Sequence, residues 1–212
     1  MIRNVKRLST ASRMIRNPNY TQAKAGSMES ALLLVDQIFQ DKSVFSQFSG
    51  WICPVQKPSG NKIPLALAIR ITENSSANLC DTVFLISKRE GNPIIERMHF
   101  EPHFAGVVPV GKFTIIDDVF TTGITLKGLQ AYIELSGSEV VKLATIGTSR
   151  AGTRYDASQM ARKSLKAKFP EIDLFFNFPQ LTFAQVNYLM RFSSITSFHN
   201  RYIENQSVKQ FC

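Results

Sequence analysis

The chain has 212 residues, 44% of them hydrophobic, and a formal net charge of +9. That length suits one domain with a substantial core. Its three cysteines, Cys53, Cys80 and Cys212, are far apart and form no CxxC spacing, which argues against a disulfide scaffold and sets the expectation of a reducing, cytoplasmic compartment. No apolar run approaches the roughly 18 residues that span a bilayer, so a soluble protein without a membrane partner is expected.

The charge is uneven. Residues 1 to 27 hold Arg3, Lys6, Arg7, Arg13, Arg16 and Lys24 and no acid, six of the nine excess charges. This segment reads as a basic N-terminal leader: a nucleic-acid-binding arm, an organelle presequence or a solvated extension. An anionic small molecule would explain basic residues elsewhere equally well, so nucleic acid is only weakly supported as a partner.

Residues 28 to 39 carry apolar side chains at helical spacing behind Ser27, a ready N-cap. "WICPV" (51 to 55) predicts a strand, "QKPSGNK" (56 to 62) a loop, and "IPLALAIRI" (63 to 71) a helix with Pro64 in its first turn. "ENSSAN" breaks that helix. "DTVFLIS" (81 to 87) is a continuous apolar run of strand length, and residues 88 to 106 suit a mobile loop or a loosely paired hairpin. "KFTIID" (112 to 117) predicts a strand, residues 122 to 135 a helix stopped by Ser136-Gly137, and "VVKLATIG" (140 to 147) another strand.

Further on, Asp156 is expected to cap a basic helix running to Lys168, and "IDLFFNF" (172 to 178) is a last strand candidate. The spacing of Thr182 and Gln185 predicts a capping box for a helix over 183 to 192, and a terminal helix is expected near 197 to 206. Strand, loop, helix, strand in repetition argues for an α/β fold with a parallel sheet and helices on both faces. The division expected is a leader (1 to 27), a core (28 to 150) and a C-terminal helical and strand extension (151 to 212) that serves as part of the core, a hood or a partner surface.

In open parallel sheets, ligands collect at the C-terminal strand edge, where loops lead to helix N-termini. Asp117 and Asp118 are expected at that edge. Behind them, Thr121, Thr122, Gly123, Ile124 and Thr125 lead into a helix, so hydroxyls, backbone N–H groups and the positive end of the helix dipole can converge on one anion. Two carboxylates beside a phosphate repel it. A phosphorylated sugar resolves the conflict, because carboxylates accept hydrogen bonds from vicinal hydroxyls and a divalent cation lowers the repulsion.

The stretch "IIDDVFTTGIT" (115 to 125) resembles the phosphoribosyl-pyrophosphate-binding motif of the type I phosphoribosyltransferases: apolar residues, two acids, two variable residues, Thr-Thr-Gly, one residue, then Thr. The resemblance implies that family's fold, with Asp117 and Asp118 on the ribose hydroxyls and Thr121, Thr122, Gly123, Ile124 and Thr125 on the 5′-phosphate. It implies a pyrophosphate loop at Lys57, Ser59 and Gly60 after the first core strand. It also implies a covering loop led by Lys88 and Arg89 after the second, with catalytic roles for these two and the acid pair. The implied activity is that of a phosphoribosyltransferase, a glycosyltransferase of nucleotide metabolism. Ribose 5-phosphate passes from 5-phosphoribosyl 1-pyrophosphate to a nitrogen acceptor, a small molecule such as a nucleobase, and pyrophosphate leaves. Magnesium would arrive on the ligand, with no side chain assigned to it directly, and a homodimer is expected. The alternative is a non-catalytic binder of the same ligand, or of a nucleotide, that regulates through its basic segments on nucleic acid or a protein.

Overall fold

The structure is a computed structural model and describes residues 2, 4–56, 60–87, 101–148, 154–176 and 181–200. Five strands form one sheet: β1 (Lys6–Arg7), β2 (Ser49–Pro54), β3 (Ser76–Leu79), β6 (Lys112–Phe120) and β7 (Glu139–Thr148). All are parallel, in the order β1-β7-β6-β2-β3. A separate antiparallel pair, β4 (Phe84–Leu85) and β5 (Phe104–Ala105), precedes β6. Phe113, Thr114, Ile115 and Ile116 are buried in succession, as a central parallel strand covered on both faces requires.

One face packs Ile52, Ile116, Ala144 and Ile146 against α1 (Ala11–Ile15), α2 (Tyr20–Ala25), α3 (Met28–Ile38) and α4 (Ile63–Glu73). The other packs Phe113, Ile115, Val140 and Leu143 against Leu126, Leu129 and Ile133 of α5 (Ile124–Leu135). Helices therefore lie on both faces of a parallel sheet, as expected. Ser27 caps α3 by accepting from the Ser30 N–H, and Pro64 sits in the first turn of α4, where no intrahelical N–H is needed.

A third cluster gathers the C-terminal residues: α6 (Gln159–Lys168), a 3₁₀ turn (Ile172–Leu174), α7 (Phe183–Leu189) and a helical segment at 195–200 bury Leu165, Phe169, Val186 and Phe198 together.

Several expectations need correction. Asp156 does not cap α6; Ser158 does, and Asp156 instead takes an ion pair from Arg162 at 2.7 Å. The described part of "IDLFFNF" is a 3₁₀ turn and not a strand, because its apolar side chains pack into the helical cluster and not onto the sheet. Of the strand expected at "DTVFLIS", only Phe84–Leu85 pairs, with Phe104–Ala105, and the strand beside β2 is the short edge strand Ser76–Leu79. Residues 88–100, most of the segment expected as a mobile loop or hairpin, lie outside the described residues. So do 177–180 and 201–212, the ends of the last two expected elements.

Residues 4 to 25 of the expected leader are built into the fold. β1 pairs with β7, Leu8 N–H and Ser9 N–H donate to the carbonyls of Thr145 and Ile146, and Val5, Met14 and Ala23 are buried. Met14→Ala is therefore expected to cost about 2–5 kcal/mol of stability, the range for truncating a buried side chain. A solvated leader would tolerate the change within about 0.5 kcal/mol. A urea unfolding midpoint decides between them.

Among the described residues no helix is long and apolar enough to cross a membrane.

Candidate functional site

β6 continues through the two acids to Phe120, three residues past the expected strand end. Its pairing with β7 persists to Phe120 opposite Thr148, whereas its last register partner on β2 is Pro54, opposite Ile116. The acids thus stand on a strand that has lost one neighbour, at the C-terminal edge of the sheet. Successive strand residues project to opposite faces, but each of the two carboxyls folds forward onto the next backbone N–H and they stay within reach of each other.

Asp117 lies on the α5 side. With residues 119 to 126 it lines a small concavity of about 30 Å³, room for one compact group and not for a whole sugar phosphate. Gly123 initiates α5 in the left-handed conformation, φ +79°, and an added Cβ would lie 2.8 Å from Phe120 Cε2. The first intrahelical bond runs from Lys127 N–H to the Gly123 carbonyl at 2.9 Å, so the N–H groups of Ile124, Thr125 and Leu126 precede it and are available to a ligand. The hydroxyls of Thr121, Thr122 and Thr125 make no hydrogen bond to any described residue. Free N–H groups, free hydroxyls and a helix dipole meet in one concavity, the arrangement that binds an oxyanion.

Asp117 is half-buried, and desolvation followed by the charge of Asp118 raises its carboxyl well above the ordinary carboxylate range. Its Oδ1 accepts the Asp118 N–H at 2.8 Å.

Asp118 is buried beside Asp117 and does not line the concavity. Its Oδ2 accepts from Lys24 Nζ and, at 3.0 Å, from Asn61 Nδ2, while its Oδ1 accepts the Val119 N–H at 2.8 Å. Burial works against the Lys24 charge, but the Asp118 carboxylate outweighs it and leaves the ammonium above its ordinary value. Lys24 is delivered by a fixed backbone: Lys62 N–H donates to the Ala23 carbonyl at 3.0 Å, tying the end of α2 to the loop before α4.

The C-terminal cluster also reaches the site. Thr182 and Gln185 form both halves of the expected capping box, and the Thr182 hydroxyl donates to the Thr122 carbonyl at 2.6 Å. Tyr155 packs against Phe120 with ring centroids 6.3 Å apart and donates its hydroxyl to Gln130 Oε1 at 3.0 Å.

The structure therefore brings Asp117, Thr121, Thr122, Gly123, Ile124 and Thr125 to one concavity, with Asp118 next to Asp117 but outside the lining. Gly60 lies in the loop that carries Asn61, whereas Lys57, Ser59, Lys88 and Arg89 lie outside the described residues. Sequence reasoning misses Lys24, Asn61, Tyr155 and Thr182 as site residues. For Thr182 the capping spacing is a signal for the helix but not for its hold on Thr122.

Fold and site define a parallel α/β protein with a glycine-initiated helix start and an adjacent acid pair at one sheet edge. No family model matches the chain. It is 30% identical over 151 residues to Protein TraN of Escherichia coli, a stretch covering 66% of this chain and 34% of that protein. It is also 30% identical over 129 residues to an uncharacterized protein of Haemophilus influenzae, covering 55% of this chain and 29% of the other. The chain thus spans about a third of the length of the curated relatives it matches.

Similar solved structures include an orotate phosphoribosyltransferase from Aeropyrum pernix (TM-score 0.33, 18% identity, 60% of this chain and 76% of that one). An adenine phosphoribosyltransferase is similar at TM-score 0.34 and 14% identity, over 65% of this chain and 75% of that one. A hypoxanthine phosphoribosyltransferase from Staphylococcus aureus is similar at TM-score 0.37 and 14% identity, over 65% and 76%.

Proposed function

We propose that the protein binds 5-phosphoribosyl 1-pyrophosphate and transfers its ribose 5-phosphate to a nitrogen acceptor, a nucleobase, with release of pyrophosphate. The observation that carries this reading is the sharing of one concavity by the Asp117 carboxyl and the glycine-initiated start of α5. In this reading residues 121 to 125 hold the 5′-phosphate, and Asp117 and Asp118 take the ribose hydroxyls. Lys57, Ser59 and Gly60 face the pyrophosphate, and Lys88 and Arg89 cover the reacting centre. As the bond from C1 to pyrophosphate breaks, positive charge develops on the ribose, and the nearby carboxyls stabilise it electrostatically.

Among the described residues no group of three or more His, Cys, Asp or Glu side chains could hold a metal ion. In this reading magnesium would arrive on the oxygens of the ligand and would supply charge neutralisation to the departing pyrophosphate. The homodimer expected from the resemblance belongs to the same proposal.

A second reading, a non-catalytic binder of the same ligand that acts on nucleic acid, is favoured by one observation. The exposed side chains of Arg13 and Arg16 line an open surface cleft of about 500 Å³ with Ser12, Asn17 and Pro18. Pyrophosphate release, measured with magnesium and a panel of nucleobases, separates the two. Turnover on any base establishes the transferase, and binding without turnover, together with nucleic-acid affinity that falls steeply with salt, establishes the binder. Failure to bind 5-phosphoribosyl 1-pyrophosphate at all overturns both.

A further inference from the structure

Lys24 is far from the acids in sequence, in the segment that reads as a leader, yet its ammonium is the only Lys or Arg charge paired with Asp118 among the described residues. The end of α2 meets the loop before α4 through the Lys62 N–H to Ala23 carbonyl bond. Gly26 also approaches Gly60 so closely that a Cβ on it would lie 3.6 Å from the Gly60 carbonyl oxygen. Lys24 is thereby fixed between Asp118 and the loop of Gly60 and Asn61, and its side chain keeps 35% of its surface exposed. Its backbone is anchored, and its tip pairs with Asp118 at a point partly open to solvent.

Two groups compete for that tip. Without ligand, Asp118 is a buried carboxylate that needs a partner, since an unpaired buried charge is costly. When sugar hydroxyls donate to Asp118, that need falls, and a polyanionic ligand arriving beside Gly60 offers the ammonium a better one. We propose that Lys24 is the charge-balancing cation of the site, holding Asp118 in the ligand-free protein and passing to the ligand's anionic group when hydroxyls take its place. This rests on the sugar-phosphate reading above and assigns to the N-terminal segment a part in choosing ligands by charge.

The test compares wild type, Lys24→Met and Lys24→Arg by calorimetric titration with 5-phosphoribosyl 1-pyrophosphate and with ribose 5-phosphate, which lacks the pyrophosphate. Unfolding temperatures confirm that each variant is folded. Lys24→Met is expected to lose at least about tenfold in affinity for the first ligand and little for the second, with Lys24→Arg restoring most of the loss, in line with removal of one partner from a charge pair. Equal weakening toward both ligands would show that Lys24 only builds the site, and tightening toward both would show that it only blocks Asp118. Either result overturns the proposal while leaving the sugar-phosphate reading in place. A wild-type protein that binds neither ligand overturns that reading and this one with it.

Discussion

Changing Asp117 and Asp118 together to asparagine is expected to abolish binding of 5-phosphoribosyl 1-pyrophosphate, a loss of at least about 100-fold, because two charge-assisted hydrogen bonds to ribose hydroxyls become neutral ones. The fold should survive. After Asp117→Asn the side-chain carbonyl at residue 117 can still accept the backbone N–H of residue 118, as Asp117 Oδ1 does at 2.8 Å. Lys24, with a third of its side chain exposed, can turn to water. Unchanged ligand affinity in the folded double variant would refute the site.

Asp117→Asn alone carries a second, opposite consequence for stability. Desolvation and the Asp118 charge raise the Asp117 carboxyl in the folded protein above its unfolded value. Below about pH 3 the carboxyl is protonated in both states and contributes no difference. As pH rises, the unfolded chain ionises first and becomes relatively favoured, so the folded protein loses stability until its own raised pKa is passed. The deficit then stays constant. Asparagine never ionises, so Asp117→Asn is expected to unfold at a higher temperature than wild type at pH 7, with the advantage gone near pH 3. A variant less stable than wild type at pH 7 would show that the Asp117 charge is compensated. A gain in stability with a loss of binding is the trade expected where a site keeps a charge that folding alone would discard.

What the sequence made legible was local. The concavity is lined by Asp117 and the nearby residues 119 to 126, and Ser27, Pro64 and the Thr182–Gln185 pair announce helix starts within four residues of themselves. Contacts formed across the fold left no such trace: Lys24 and Asn61 meet Asp118 from 94 and 57 residues away. Strand identity failed where apolar character and sheet position parted. "SANL" is short and half polar but pairs with β2, because an edge strand needs few buried side chains. "DTVFLIS" is more apolar, yet its run forms only a two-residue pairing outside the main sheet, with Phe84 and Ile86 left exposed. The basic composition of residues 1 to 27 concealed Val5, Met14 and Ala23, three buried positions among exposed charges.

Gly123→Ala should lose about 2–5 kcal/mol of stability, and Gly137→Ala about 1–2 kcal/mol, although the two glycines share almost one backbone conformation. Their φ angles are +79° and +82°, so the left-handed backbone penalty for an added Cβ is common to both. The surroundings differ. At Gly137 a Cβ meets nothing within 4 Å, whereas at Gly123 it meets Phe120 Cε2 at 2.8 Å and Tyr155 Cδ2 at 3.3 Å. Both rings are fully buried and pack against each other, so neither can retreat without disturbing the second core cluster. The difference between the two variants in urea unfolding therefore isolates the steric part, and equal losses would mean that Phe120 and Tyr155 yield freely. Ligand binding should separate them further. Gly137 lies beyond the far end of α5 and its substitution should leave affinity for 5-phosphoribosyl 1-pyrophosphate unchanged, while Gly123→Ala displaces the N–H groups of the first turn from the concavity they line. The glycine is needed at residue 123 because the strand must turn into the helix over two buried rings, and that same turn places the first-turn N–H groups at the concavity that Asp117 shares.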